Sequence, residues 1–445
     1  MIRWVSGLVA AILLAGCAEP LPAPPNIVLI YADDLGYGDL GIFGHPTIKT
    51  PHLDALARSG VKLSAFYSAA PVCTPARAAL LTGRYPIRSG MTGVFFPEDT
   101  TGLPASEWTL AEALREHGYR TALFGKWHLG SAPGFRPVDH GFDTSYGLLY
   151  SNDMMRPWVE TDVPLRLWRD NEPVDEYPID QSTLTRRLTD EAIAFIRAAG
   201  ETPFFVYLAH PMPHVPIYRS EAFAGVSAGG RYGDVVEEID ASVGEIIATL
   251  EALGLTHNTI VLFTSDNGAN VASSRFFTDD RIVATDVGSN GPYRGHKRLT
   301  LEGGMRVPGI VSWPGHLPAG AVRTGMASEM DLFPTLLGWA GVTAAAPNPL
   351  DGRDLRAFLA TGAPSPHDVL YYFRDTRLQG VRDATWKFRW CRDADSCTGE
   401  PELYHIQRDP YERFNVAGEH PERVDSLRRL MTAFATQTGA RLDLP

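Results

Sequence analysis

The chain has 445 residues, 44% of them hydrophobic, enough to bury a full core in one large domain or two unequal ones. Its 40 Lys and Arg against 52 Asp and Glu leave a formal charge of −12, which excludes a surface built to bind nucleic acid. Any anion site must be a local basic pocket in an acidic protein.

At the N-terminus, Arg3 precedes an apolar run from Trp4 to Leu14 and the tetrapeptide Leu14-Ala15-Gly16-Cys17. This is the layout of a secretory signal, and the run is too short to span a bilayer comfortably. The tetrapeptide resembles a bacterial lipobox, which implies that Cys17 is lipidated and is the only membrane attachment. A plain cleaved signal with an incidental cysteine is the alternative. Residues 1–17 read as a signal with lipobox and 18–25, rich in Pro and Ala, as a tether. The expected location is the periplasm or the outer membrane of a bacterium.

From Asn26 the run NIVLIYADD reads as a buried parallel strand that delivers Asp33 and Asp34 at its C-terminal end. Thr50-Pro51 opens a short helix that Gly60 closes. Further strands are expected at 119–125, 202–210 and 259–268, and helices at 109–117, 183–199 and 233–253. This alternation predicts an α/β fold: a large mixed, mostly parallel sheet sandwiched by helices, with ligands gathered at the C-terminal strand ends. Residues 26–344 are read as the catalytic domain. Residues 345–445 are read as a smaller subdomain, an antiparallel sheet of short strands plus a helix at about 421–438. Cys391 and Cys397, with five residues between them in an exported chain, suit a small local disulfide, which leaves Cys73 without a partner.

Residues 73–77 read Cys-Thr-Pro-Ala-Arg and continue AALLTGRYPIRSG. Pro75 marks a helix start and Gly83 its stop, so Cys73 is placed at a helix N-terminus, where free N–H groups and the dipole favour an anion. Arg77 lies one turn on. Two oxygen-rich pairs, Asp33-Asp34 and Asp266-Asn267, each follow an apolar strand and supply the hard donors that Ca²⁺ or Mg²⁺ needs. Lys126 and His128 in Gly-Lys-Trp-His-Leu-Gly, His214 in His-Pro-Met-Pro-His, and Lys297 in Arg-Gly-His-Lys add cations and imidazoles for charge stabilisation and proton transfer.

Cys-x-Pro-x-Arg followed by Leu-Thr-Gly-Arg is similar to the signature of the type I sulfatase family, in the alkaline phosphatase superfamily. The resemblance runs from about Asn26 to about Asn415. It implies that a formylglycine-generating maturation enzyme converts Cys73 to formylglycine, the nucleophile, and that Asp33, Asp34, Asp266 and Asn267 bind one calcium ion faced by the modified Cys73. It further implies catalytic roles for Arg77, Lys126, His128, His214 and Lys297, of which Lys126, His214 and Lys297 also contact substrate. Ser151 aligns with a position that contacts sulfate in some members. His210, His296 and Arg298 lie near the site in sequence with structural or substrate-specific roles, and His45, His52, His117 and His257 read as surface or packing residues.

The implied activity is hydrolysis of sulfate esters, with a sulfated carbohydrate as the expected substrate. The rivals are a phosphonate monoester or phosphodiester hydrolase of the same superfamily and a non-catalytic surface lipoprotein. The segment Met154–Tyr177, with Trp158, Trp168, Arg156, Arg166 and Arg169, either lines the pocket mouth and stacks on sugars or is a packed surface loop.

Overall fold

The computed structural model describes residues 24–271, 287–392, 397 and 399–443. The signal, Cys17 with its lipobox, and tether residues 18–23 lie outside these residues. Eleven strands build the main sheet: β1 (Asn26–Ala32), β2 (Val61–Tyr67), β3 (Arg120–Lys126), β4 (Thr144–Leu148), β5 (Trp168–Arg169), β6 (Glu172–Pro173), β7 (Phe204–Ala209), β8 (Thr259–Ser265), β9 (Arg306–Ser312), β10 (Ala321–Arg323) and β11 (Ala327–Ser328). Their order is β10-β2-β9-β8-β1-β7-β3-β4-β5-β6, with β11 also on β2.

The four strands expected from apolar runs are β1, β3, β7 and β8, and they are the contiguous parallel centre β8-β1-β7-β3. Every residue of β1, β7 and β8 is buried, as a sheet covered on both faces requires. The flanking strands carry weaker signals. β2 alternates, and β9 contains Pro308 and Gly309 yet runs antiparallel between β2 and β8.

One row of helices, Pro51–Ser59, Gly230–Ala252 and Leu184–Ala198, packs along the sheet through β2, β9, β3 and β7. In Leu184–Ala198 the buried Leu184, Leu188, Ala192 and Ile196 recur every four residues and form the apolar stripe. A second row joins Cys73–Thr82, Leu110–Glu116 and Leu332–Trp339. The Leu110–Glu116 helix starts on a capping box in which Thr109 accepts from the Glu112 N–H and Glu112 accepts from the Thr109 N–H.

Four short strands form the separate antiparallel sheet in sequence order: β12 (Leu370–Arg374), β13 (Arg377–Arg382), β14 (Trp386–Arg389) and β15 (Glu402–His405). The Pro421–Thr438 helix packs on β13 and β14. Cys391 and Cys397 form a disulfide beyond β14.

A buried ionic cluster fastens this sheet to the main body. Lys387 Nζ lies 3.0 Å from Glu302 and 2.9 Å from Glu412, and all three side chains are fully buried. Glu302 also accepts from the Tyr67 hydroxyl at 2.6 Å and lies 3.4 Å from Arg306 and 3.7 Å from Arg382. Burial alone would raise its pKa, but the cations of Lys387, Arg382 and Arg306 bring it down to about 2. Lys387→Met would leave the buried Glu412 carboxylate without its cation and weaken the pairing of Glu302, so urea unfolding should show a loss of about 3–5 kcal/mol. Unchanged stability would show that the cluster relaxes around the missing cation.

Glu329 has the opposite balance. It accepts from Tyr31, Ser68 and the Ala69 N–H, yet burial pushes it up to about 8 from an ordinary 4.5. A raised carboxyl pKa contributes stability that is complete below the unfolded value and is lost as pH rises through the folded one. Glu329→Gln should therefore gain on the parent protein as pH rises from about 5 to about 9, by more than about 1 kcal/mol in thermal melts. A pH-independent difference would contradict this balance.

Candidate active site

Strand register brings distant motifs to one edge. Ala32 pairs with Ser265 and Tyr31 with Ala209, so Asp33-Asp34, Asp266-Asn267 and the segment leading to His214 leave β1, β8 and β7 together. Gly125 pairs with Ala209 and places Lys126 and then His128 at the same edge. Gly125 has φ 127°, and a Cβ there would stand 1.8 Å from the Ala209 carbonyl oxygen. Only glycine permits that approach.

The Cys73–Thr82 helix begins on Cys73 itself, two residues before the proline that marked its start in the sequence. Gly83, at φ 68°, closes it by donating to the Ala79 carbonyl. Cys73 is buried and is the free cysteine among the described residues. Thr74 Oγ1 donates to the His128 carbonyl at 2.9 Å, tying the helix start to the β3 loop.

One turn on, Arg77 is fully buried. Its Nη2 donates to Asp266 Oδ2 at 2.9 Å and stands 3.6 Å from Asp33 Oδ1, while Nη1 donates to the Lys126 carbonyl at 3.0 Å. Lys126 Nζ lies 2.5 Å from Asp33 Oδ2 and donates to Ser151 Oγ at 3.0 Å. Lys297 Nζ sits 2.7 Å and 2.9 Å from the two oxygens of Asp34. His214 donates from Nδ1 to the Val215 carbonyl at 2.6 Å, which leaves Nε2 bare, 3.7 Å from Asp34. His128 uses Nε2 on the Phe95 carbonyl at 3.0 Å, and its buried Nδ1 has no hydrogen-bond partner. Asp34, His128 and Arg298 hold left-handed φ values of 64°, 60° and 76°, and backbone strain of this kind gathers at functional sites.

These groups line or underlie one pocket walled by Val72, Cys73, His128, Ser151, His214 and Lys297. Burial alone would raise Asp33, but Lys126, His214, Arg77 and Lys297 hold it well below the usual carboxylate range. Burial, with the Asp33 carboxylate beside it, pushes Asp266 up to about 7. Burial pushes the Cys73 thiol up, against Lys126 and Lys297. Burial also drives His128 well below its ordinary value, helped by Lys126, so its ring is neutral and Nδ1 is an acceptor.

Ligand atoms of Asp33, Asp34, Cys73 and His214 lie within 4.8 Å of one another. Asp266 joins from the side, Oδ1 accepting from the Asp34 N–H at 3.0 Å and Oδ2 held by Arg77. Asn267 Nδ2 donates to Asp34 at 2.7 Å. Asp33 Oδ1 and Asn267 Oδ1 are buried without a hydrogen-bond partner. Orphaned buried oxygens in an acidic cluster fit a hard divalent cation, which takes oxygen donors.

Other sequence candidates fall outside the pocket. His210 Nε2 faces Ser242 Oγ at 3.3 Å, and burial brings its ring down to about 4. His296 bonds the Lys297 carbonyl through Nδ1. His45, His117 and His257 make local contacts to backbone groups, and His52 packs against Gly244. Of the two readings of the 154–177 segment, packing holds for its tryptophans: Trp158 is buried and Trp168 lies under Arg136 at 4.4 Å. Arg156 pairs with Glu160 and Asp162, Arg169 with Glu191, and Arg166 covers Tyr177. The same segment does reach the pocket through Met154 and Val159, which line its walls together with Val94, Phe96, Asp153 and Arg298. For Asp153 the sequence carried a faint signal, its place two residues after Ser151; for Phe96 it carried none.

Comparison with known proteins agrees with this geometry. A sulfatase family model matches residues 25–342, and a model for the C-terminal part of N-sulphoglucosamine sulphohydrolase matches 291–437. The chain belongs to the sulfatase family, the type I sulfatases of the alkaline phosphatase superfamily. It is 40% identical to N-acetylgalactosamine-6-sulfatase of Mus musculus, over 93% of this chain and 86% of that protein. It is 37% identical to steryl-sulfatase of Mus musculus, over 96% of this chain and 84% of the relative. Among solved structures it is similar to Ps i-CgsB in complex with k-i-k-neocarrahexaose, at TM-score 0.81, 30% identity and 93% coverage of both chains. The protein is a sulfuric ester hydrolase, and these likenesses do not favour the phosphonate or phosphodiester alternative.

If the orphaned oxygens await a cation, titrating calcium or magnesium should raise the melting temperature, by about 2.7 kcal/mol of stability at a hundredfold excess over Kd. Asn267→Ala should shrink that shift. No response to either ion in the parent protein would reject the cation site.

Proposed function

We propose that this sulfatase removes sulfate from a carbohydrate, with Cys73 converted to formylglycine and calcium held by Asp33, Asp34, Asp266 and Asn267. The observation that carries the reading is the free, buried Cys73 at the first turn of its helix, gathered within 4.8 Å with ligand atoms of Asp33, Asp34 and His214. The aldehyde hydrate that formylglycine provides supplies the nucleophile and a route for its own release, and the calcium supplies Lewis-acid neutralisation of sulfate charge.

The chain's own residues divide the remaining work. Lys126, anchored by Asp33 and Ser151, orients the sulfate, and Ser151 adds a hydroxyl at the same point. Arg77 fixes Asp33 and Asp266 and holds the helix that carries Cys73. His128 keeps its free Nδ1 ready to take a proton. The Lys297 ammonium and the open His214 Nε2 line the pocket, and Lys297 supplies the compensating positive charge that a departing alcohol needs. The carbohydrate assignment follows the relatives, whose names include an N-acetylgalactosamine-6-sulfatase and whose structures include one with a neocarrahexaose bound. Export as a lipoprotein anchored at Cys17 is part of the same proposal and makes an extracellular glycan the natural substrate.

Protein co-produced with a formylglycine-generating enzyme should show the residue-73 peptide in aldehyde form by mass spectrometry and should hydrolyse an aryl sulfate. Cys73→Ala should abolish turnover and keep the fold and the cation-induced melting shift. Sulfatase activity retained in that variant would overturn the nucleophile assignment.

A further inference from the structure

The floor of the pocket is spoken for: Arg77, Lys126 and Lys297 each sit on a carboxylate. Among the wall residues that the steps above do not use are Asp153, Arg298 and Phe96. Asp153 is 9% exposed, and its buried Oδ1 has no hydrogen-bond partner. A carboxylate oxygen shut away from water without a donor is costly unless a ligand donates to it.

Arg298 is exposed, lines the same pocket and pairs with no carboxylate among the described residues. Its backbone is held at φ 76°, its N–H donating to the Pro71 carbonyl at 2.8 Å. That fixes it beside Lys297 and close to the Cys73 helix. Phe96 is 45% exposed on the same wall.

We propose that Asp153, Arg298 and Phe96 form the sugar subsite next to the sulfate and select an acidic saccharide. Arg298 holds a second anionic group of the substrate, a carboxylate or another sulfate, through the planar fork that suits either. Asp153 accepts a hydrogen bond from a ring hydroxyl, and Phe96 packs on the apolar face of the ring. The unmatched guanidinium decides the sign: a neutral sugar would leave it without a counter-charge, whereas a second anion completes the pocket.

The proposal rests on the sulfatase reading, so the test separates the two. With matured enzyme, kcat/KM is measured on an aryl sulfate without a sugar, a neutral sugar monosulfate, a sulfated disaccharide carrying a uronate, and a disulfated sugar. The parent enzyme should prefer the substrates with a second anion over the neutral sugar, and whichever of the two is favoured identifies that anion. Arg298→Ala should lower this preference about tenfold or more, mainly through KM, with Arg298→Lys retaining part of it. Asp153→Asn should lower turnover of every sugar sulfate relative to the aryl sulfate. A parent enzyme without preference for the second anion, or a preference unchanged in Arg298→Ala, overturns the subsite while the sulfatase reading stands. If Arg298→Ala does not fold, the same comparison is decided by Arg298→Lys. No turnover of any sulfate ester by enzyme with converted Cys73 overturns both.

Discussion

Three carboxylates and three cations share the floor of the pocket, nearly out of reach of water, and the rest of the structure is arranged to keep them paired. Asp33, Asp34 and Asp266 face Arg77, Lys126 and Lys297, none more than 5% exposed. Each such charge costs several kcal/mol to desolvate, and removing one partner leaves the other stranded. Pairing at 2.5 to 2.9 Å is possible only if β1, β3, β8, the Cys73–Thr82 helix and the loop carrying Lys297 all stop at the right depth. The all-buried central strands, the glycine contact between β3 and β7, and the capped helix start are the means by which they do.

The same balance prepares the chemistry. Asp33 is crowded by cations and stays ionised, whereas Asp266 has the desolvation without enough compensation and rises to about 7. Neighbouring carboxylates pushed apart in this way are what sites that bind cations and move protons display. Two histidines flank them, each with one ring nitrogen committed to a backbone carbonyl and the other left open, so their tautomers are set by the fold.

A second buried cluster, built on Glu302, Lys387 and Glu412, shows how the antiparallel sheet contributes without entering the pocket. Glu302 follows shortly after Lys297, and Arg294, in the same segment, donates to the Glu412 carbonyl and the Tyr404 hydroxyl. The loop that presents Lys297 and Arg298 is therefore braced from behind by the C-terminal strands. Rigidity at Lys297 depends on residues more than a hundred positions later in the chain.

Much of this was legible in the sequence because local chemistry writes it there. Apolar-rich runs marked the four central strands, proline and glycine placed the Cys73 helix to within two residues, and the final helix was placed at its observed ends. The residues proposed for the site, Asp33, Asp34, Cys73, Arg77, Lys126, His128, Ser151, His214, Asp266, Asn267 and Lys297, do converge. Strands outside the apolar centre gave weaker signals: β2 alternates only over its first residues, and β9 carries Pro308 and Gly309, which read against a strand until its neighbours bury it. Sequence alone determined which groups stand at the ends of strands and helices. Only the tertiary structure decided which of them pair, that Trp158 and Trp168 pack away while Phe96 and Asp153 face the pocket, and that Arg298 has no counter-charge among the described residues. Pairing and exposure depend on strand register and on which loops share an edge, and those are properties of residues far apart in the chain.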